Sequence, residues 1–297
     1  AQTPETMAAK LAAYQAAADL PLLIAVDEEG GTVTRVSNNP AFRSSKFPSP
    51  RQLYDRGGLE LVLSSESEKC TLLKSLGINV NLGPVCDIAT DPSAFMYDRS
   101  LGQDAETTAE FIRQVVSQMG SQGIGSCLKH FPGYGNNADT HVQIAYDDRS
   151  LESLESCDLI PFRAGMDAGA DAILGHGPHL LRPMEIYKGK PIFYCLGDFI
   201  NQLETIQRAP DGMFAKQKLN GNERLDVLFN TRSDNGKKGL SYDPVMYESV
   251  IPYWEVEDGK LVKLIFMPIE ENFALPRSRG GWPKKDTQSG IMERFAE

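Results

Sequence analysis

The 297-residue chain predicts an α/β fold in which parallel βα units lead into a mixed, partly antiparallel segment, and three observations carry that reading. In the first half, short apolar runs of strand length alternate with amphipathic stretches of helix length. Each run ends in a polar or glycine-rich segment, as strands do where they leave a parallel sheet. After about residue 172 this rhythm gives way to a long polar stretch and a hairpin pattern.

Taken in order, Thr3 and Pro4 form an N-cap and N1 pair for a first helix whose face carries Met7, Leu11, Tyr14 and Ala18. The run from Pro21 to Val26 follows as a strand. A second helix is expected from about Leu59 to Leu76, closed by Gly77 in a left-handed C-cap, with a strand over Ile78 to Leu82. Asp104 caps a third helix bearing Ile112, Val115, Val116 and Met119; Gly120 and Gly123 close it before the strand from Ile124 to Leu128. Ser150 to Asp167 reads as a helix broken near Pro161, and Asp171 to Leu174 as a fourth strand. Lys190 to Leu196 is one more buried strand. Asn201 to Asp243 is polar, without a clear period, and is expected to be a long surface excursion. Ile251 to Val256 and Lys260 to Ile269 alternate around Asp258 and Gly259 as an antiparallel hairpin. An irregular arm from Arg277 to Pro283 and a short helix ending in Phe295 complete the reading.

Thirty Lys and Arg against forty Asp and Glu leave a formal charge of −10, which argues against a phosphate-tracking nucleic-acid surface. The longest apolar stretches are too short to span a bilayer, and the start shows no charged segment leading into an apolar one. Five cysteines, never in a CxxC pair, fit reduced core thiols and predict no disulfide.

Four polar segments follow the strands: Asp27 to Gly31, Gly83 to Asp87, Lys129 to Gly133, and Gly175 to His179. A parallel fold brings such segments to one sheet edge, so the chemistry is expected there. All four histidines fall in two groups, His130 with His141 and His176 with His179. In Lys129-His130-Phe131-Pro132-Gly133-Tyr134-Gly135, followed by Asp139-Thr140-His141, a cation and an imidazole at a strand end can hold sugar hydroxyls. The Asp two residues before His141 can orient its ring. A solvated Gly/Asn-rich surface loop is the competing explanation, as a turn or capping role is for Asp27.

The first half resembles the β-N-acetylhexosaminidase branch of family 3 glycoside hydrolases. The resemblance rests on the Lys129 to His141 stretch, on Pro21 to Gly31 with Arg35, on Gly77 to Asp87, and on Asp98-Arg99-Ser100-Leu101-Gly102. It covers about residues 7 to 172. It implies part of a (β/α)8 TIM barrel in which Asp27, Arg99, Lys129 and His130 hold an N-acetylglucosamine ring. The Asp139/His141 dyad then serves as general acid/base, no cofactor is required, and the partner is an N-acetylglucosamine-containing glycan or peptidoglycan fragment. Glu28 and Glu29 are expected to be solvated or structural. Two departures matter: the family's barrel begins with a strand upstream of residue 1, and its nucleophilic Asp lies in a later motif that this chain does not contain. Asp198, after the strand ending at Gly197, stands in a loosely comparable setting, where a turn-forming Asp is the commoner explanation.

The second half resembles the C-terminal part of the CapA-like capsule or poly-γ-glutamate biosynthesis family, with its metallophosphatase-like fold. Here the carriers are Gly169 to His179 and Glu185 to Ile200, and weaker similarity continues to Pro283. The resemblance implies a divalent metal at His176 and His179, although the family's other ligand motifs are absent and, for want of carboxylate partners, a tight turn with carbonyl-capping imidazoles is the preferred explanation of the pair. The chain therefore reads as composite, residues 1–172 being a glycoside-hydrolase-like half-barrel and 173–297 a CapA-like segment. Three functions compete: a β-N-acetylhexosaminidase-like hydrolase, a metal-dependent phosphoesterase or polyglutamate-processing enzyme, and a sugar-binding or inactive composite lacking the nucleophile. An open sheet edge would favour self-association. The cysteine usage and acidity favour a cytoplasmic setting, with export or envelope association also open.

Overall fold

The computed structural model describes residues 3–19, 21–137, 147–169, 173–175, 179–187, 189–202, 209, 211–238, 243–257, 260–276, 278–286 and 290–296. Asp139, His141 and His176 lie outside the described residues. The chain divides into two compact units, Ala1–Asp139 with Ala145–Gly175, and Thr140–Ile144 with His176–Glu297.

In the first unit, helix α1 (Pro4–Ala17) starts at Thr3, whose hydroxyl accepts the Thr6 N–H at 3.3 Å while the Thr6 hydroxyl accepts the Thr3 N–H at 2.9 Å. None of its side chains is buried, so the expected apolar face covers no core, and Ala18 is the C-cap rather than a member of that face. Strands β1 (Ala25–Val26), β2 (Val80–Asn81) and β3 (Gly125–Ser126) form a parallel sheet in that order, with Ala25 opposite Val80 and Val80 opposite Gly125. They are shorter than the apolar runs that contain them. Beside the β1–β2 ladder a side chain replaces the backbone partner: the Ile24 N–H donates to Asn79 Oδ1 at 2.7 Å.

Helix α2 (Pro50–Ser75) begins well before the expected Leu59. Ser49 caps it by accepting the Gln52 N–H at 3.3 Å, Gln52 Oε1 accepts the Ser49 N–H at 3.1 Å, and Pro50 stands at N1. Gly57 and Gly58 leave helical geometry within it, which hides its first turns from a periodicity reading. Asp104 caps α3 (Ala105–Ser121) through the Thr107 N–H at 2.7 Å, and α3 buries Phe111, Ile112, Val115, Val116 and Met119. The next helical stretch is two helices, α4 (Leu151–Ser156) and α5 (Leu159–Asp167), broken at Cys157 and Asp158 rather than at Pro161. Pro161 sits in the first turn of α5, where its missing N–H has no helical partner to lose. A Cβ on Gly165 would stand 2.7 Å from Leu128, so α5 packs tightly on the segment that leaves β3. Strand β4 is Ile173–Leu174.

In the second unit, β5 (Leu181–Tyr187) pairs antiparallel with β6 (Lys190–Leu196), from Leu181 opposite Leu196 to Tyr187 opposite Lys190. Sequence reading found only β6, because β5 is largely exposed and carries a proline and charges. The polar stretch expected to be irregular contains α6 (Asp211–Lys216) and α7 (Leu225–Arg232), the latter burying Leu228 and Phe229. Strands β7 (Glu248–Glu257) and β8 (Lys260–Glu270) form the expected hairpin, with a bulge at Glu255/Val256; its turn, Asp258 and Gly259, lies outside the described residues. Strand β9 (Lys284–Lys285) joins β8, and α8 (Ile291–Ala296) seats Phe295 against Phe266, ring centroids 4.8 Å apart. Among the described residues no helix is long and apolar enough to cross a membrane.

Candidate functional site

The site grows from the turn after β1. Glu28 is fully buried, and its carboxylate accepts the backbone N–H groups of Arg35 at 2.8 Å, Val36 at 2.7 Å and Ser37 at 3.3 Å, together with the Ser37 hydroxyl. It is a structural staple. Asn81, at the end of β2, exchanges two bonds with the Glu28 backbone, at 3.0 and 3.1 Å, and so joins the first loop to the second strand. Gly30 has φ +104°, and a Cβ there would lie 2.2 Å from the Pro48 carbonyl oxygen, so only glycine lets the loop turn here.

This loop presents Asp27 outward and Glu29 inward. Lys129, three residues beyond β3, donates from Nζ to Asp27 Oδ1 at 2.7 Å and lies 2.6 Å from Glu29 Oε1. Arg99 grips Glu29 with two bonds, Nε to Oε2 at 2.9 Å and Nη2 to Oε1 at 2.7 Å. The Glu29 side chain is only 2% exposed, whereas that of Asp27 is 36% exposed. Burial by itself would raise the Glu29 pKa, but the Arg99 bonds and the charges of Lys129 and Arg99 outweigh it and hold the carboxyl at about 2.

His130 completes the cluster. Its Nδ1 lies 2.6 Å from Oδ2 of the buried Asp87, and its Nε2 lies 2.9 Å from Arg99 Nη2. A guanidinium only donates, so Nε2 is the acceptor and the ring proton sits on Nδ1, facing Asp87. Asp87 is itself fixed by the backbone N–H groups of His130 at 3.1 Å and Tyr134 at 2.7 Å. The peptides Lys129–His130, Phe131–Pro132 and Gly83–Pro84 are cis.

The structure thus brings together Asp27, Arg99, Lys129 and His130, and adds Glu29, expected to be solvated or structural, and Asp87, to which sequence reasoning gave no role. Neither Glu28 nor Glu29 is solvated. The signal for both additions was present: each lies in a polar segment directly after a strand. In the second unit, Asp198 Oδ1 meets His179 Nδ1 at 2.7 Å, and this bond raises the His179 pKa against the effect of burial. Among the described residues no group of three or more His, Cys, Asp or Glu side chains is arranged to hold a metal ion.

Charged side chains gathered after the carboxyl ends of short parallel strands stand where α/β folds keep their active sites. Residues 2–179 match the glycosyl hydrolase family 3 N-terminal domain, more than half of the chain, and the chain belongs to that family. Residues 161–203 match the bacterial capsule synthesis protein family PGA_cap, which bears out the composite reading. Curated relatives include a β-hexosaminidase of Xylella fastidiosa strain M23, 40% identical over 55% of this chain and 49% of its own. That of Xanthomonas campestris pv. campestris strain B100 is 37% identical over 55% and 50%. The chain spans about half the length of these relatives. Among solved structures, a family 3 β-N-acetylglucosaminidase of Paenibacillus matches with TM-score 0.54 at 31% identity, over 59% of this chain and 34% of that one. The NagZ of Neisseria gonorrhoeae, in complex with N-trifluoroacetyl-D-glucosamine, matches with TM-score 0.51 at 29% identity, over 60% and 53%.

Proposed function

We propose that the chain is a β-N-acetylhexosaminidase-type glycoside hydrolase whose first unit holds a terminal N-acetylglucosamine residue of a glycan or peptidoglycan fragment on Asp27, Arg99, Lys129 and His130. The observation that supports this most is the juxtaposition of Asp27, Lys129, Arg99 and His130 after three successive parallel strands. Charge-assisted donors and a half-exposed carboxylate at such an edge suit a ring with several hydroxyls. The curated relatives named above are β-hexosaminidases.

In this reading the Asp139/His141 pair donates a proton to the leaving glycosidic oxygen and then takes one from water, without a cofactor. Retention also needs a carboxylate that attacks the anomeric carbon, and Asp198 is the candidate to test. The functional boundary is assigned to 172/173. Because Asp198 already accepts from His179, sugar binding without turnover is the second reading. The experiment is release of nitrophenol from 4-nitrophenyl N-acetyl-β-glucosaminide by the wild type, His141→Ala and Asp198→Asn, with N-acetylglucosamine binding measured by calorimetry. Hydrolysis lost in both variants supports the full reading. Binding without hydrolysis selects the second, and absence of both by the folded wild type refutes the proposal.

A further inference from the structure

We infer that Glu29 is the positioning residue of this site, a buried carboxylate that holds Arg99 and Lys129 in place before a sugar arrives. The inference rests on the sugar-binding reading above and deepens it. Arg99 and Lys129 come from different loops, and both have long side chains that lose rotamer freedom when fixed. Both converge on the same carboxylate, whose Oε1 is shared between Arg99 Nη2 at 2.7 Å and Lys129 Nζ at 2.6 Å. Glu29 is itself fixed through its backbone: its N–H donates to the Val33 carbonyl at 3.1 Å, and its carbonyl accepts from Lys69 Nζ at 3.3 Å. Lys69 is in turn held by Glu66 at 2.7 Å, within α2.

The two acids on Lys129 divide the work. Asp27 is the exposed one and can exchange its lysine bond for a hydroxyl; Glu29 is too buried to reach a ligand and keeps the lysine when Asp27 lets go. On Arg99, Glu29 occupies Nε and one Nη2 proton, and His130 Nε2 takes the other. Among the described residues Nη1 donates to the soft acceptor Met96 Sδ at 3.4 Å, which a sugar oxygen can displace. The clamp therefore selects which donors point outward. Preorganisation of this kind reduces the entropy lost on binding.

The test compares wild type, Glu29→Gln and Glu29→Asp by three measurements: solvent exchange of the Arg99 Nε–H by ¹⁵N NMR without ligand, N-acetylglucosamine affinity by calorimetry, and the thermal melt. Slow Nε–H exchange in the wild type, fast exchange in Glu29→Gln and an affinity loss of at least about tenfold in that variant, with the melt still cooperative, are expected. Glu29→Asp, which keeps the charge but is too short for both cations, is expected to recover part of the affinity. Unchanged affinity in a folded Glu29→Gln overturns the inference. Fast exchange in the wild type overturns it without any variant, which covers the case in which Glu29→Gln does not fold. If the wild type binds no sugar, the functional reading fails and the clamp's role in sugar binding fails with it; protected exchange would then leave only a structural ion pair.

Discussion

Two buried glutamates, one in each unit, meet opposite fates. Glu29 and Glu271 are 5% and 0% exposed, so neither has water to stabilise its charge. Glu29 is surrounded by Arg99 and Lys129 and is held at about 2. Neither oxygen of Glu271 makes a well-formed hydrogen bond among the described residues; burial, aided by the charges of Asp198 and Glu270, pushes its carboxyl up to about 8. Burial is common to both, so the partners decide. A fully paired buried carboxylate is what a finished anchor looks like, and by that measure the first unit carries the better-built site.

The comparison breaks most severely if Glu29 is made to resemble Glu271. Arg99→Met leaves the carboxylate with Lys129 alone, and we expect a loss of about 3 kcal/mol in urea unfolding followed by far-UV circular dichroism. A loss below about 1 kcal/mol would mean that the pair is a surface-type contact.

Glu271 sharpens the contrast through pH. Its folded pKa lies above the ordinary 4.5, so its contribution to stability is full below pH 4.5 and is lost as pH rises through about 8. Glu29 has the opposite sign, its contribution being present above pH 4.5 and lost as pH falls through about 2. Glu271→Gln should therefore raise the melting temperature by roughly 5 °C at pH 8 and leave it unchanged at pH 4.5. Trp254 and Trp282 are the chain's two tryptophans and both belong to the second unit, so their fluorescence follows that unit. An equal shift at both pH values would remove ionisation as the cause. The smallest effect belongs to the exposed pair Lys263 and Glu255, 3.1 Å apart on the β7–β8 hairpin. Lys263→Gln should leave the melt where it is, and a clear drop would show that surface ion pairs matter in this unit.

Much of the first unit was legible because its signals are local. Asp104 and Thr3 announce helix starts by cap chemistry, and the apolar runs around β1 to β3 announce buried strands. The start of the β1–β2 ladder was not legible, because Asn79 supplies a side-chain bond to Ile24 where backbone pairing would have continued. Nor was the start of α2, because Gly57 and Gly58 interrupt its period. The site was half legible. Asp27, Arg99, Lys129 and His130 stand out by type and by resemblance, but nothing in one dimension separates Glu28 from its neighbour Glu29. Only folding turns one onto three backbone amides and the other onto two cations. In the second unit β5 escaped notice because an exposed strand lacks the apolar run that reveals a buried one.

The anchor also bears on how the chain acquires its shape. The bonds that close it join residues 102 positions apart for Asp27 and Lys129, 70 for Glu29 and Arg99, and 43 for Asp87 and His130. Contacts of such separation form only after the intervening loops have been closed. On the ribosome Asp27 and Asp87 emerge before Lys129 and His130, so the Asp27–Lys129 and Asp87–His130 bonds form only after the segment that follows β3 has been made.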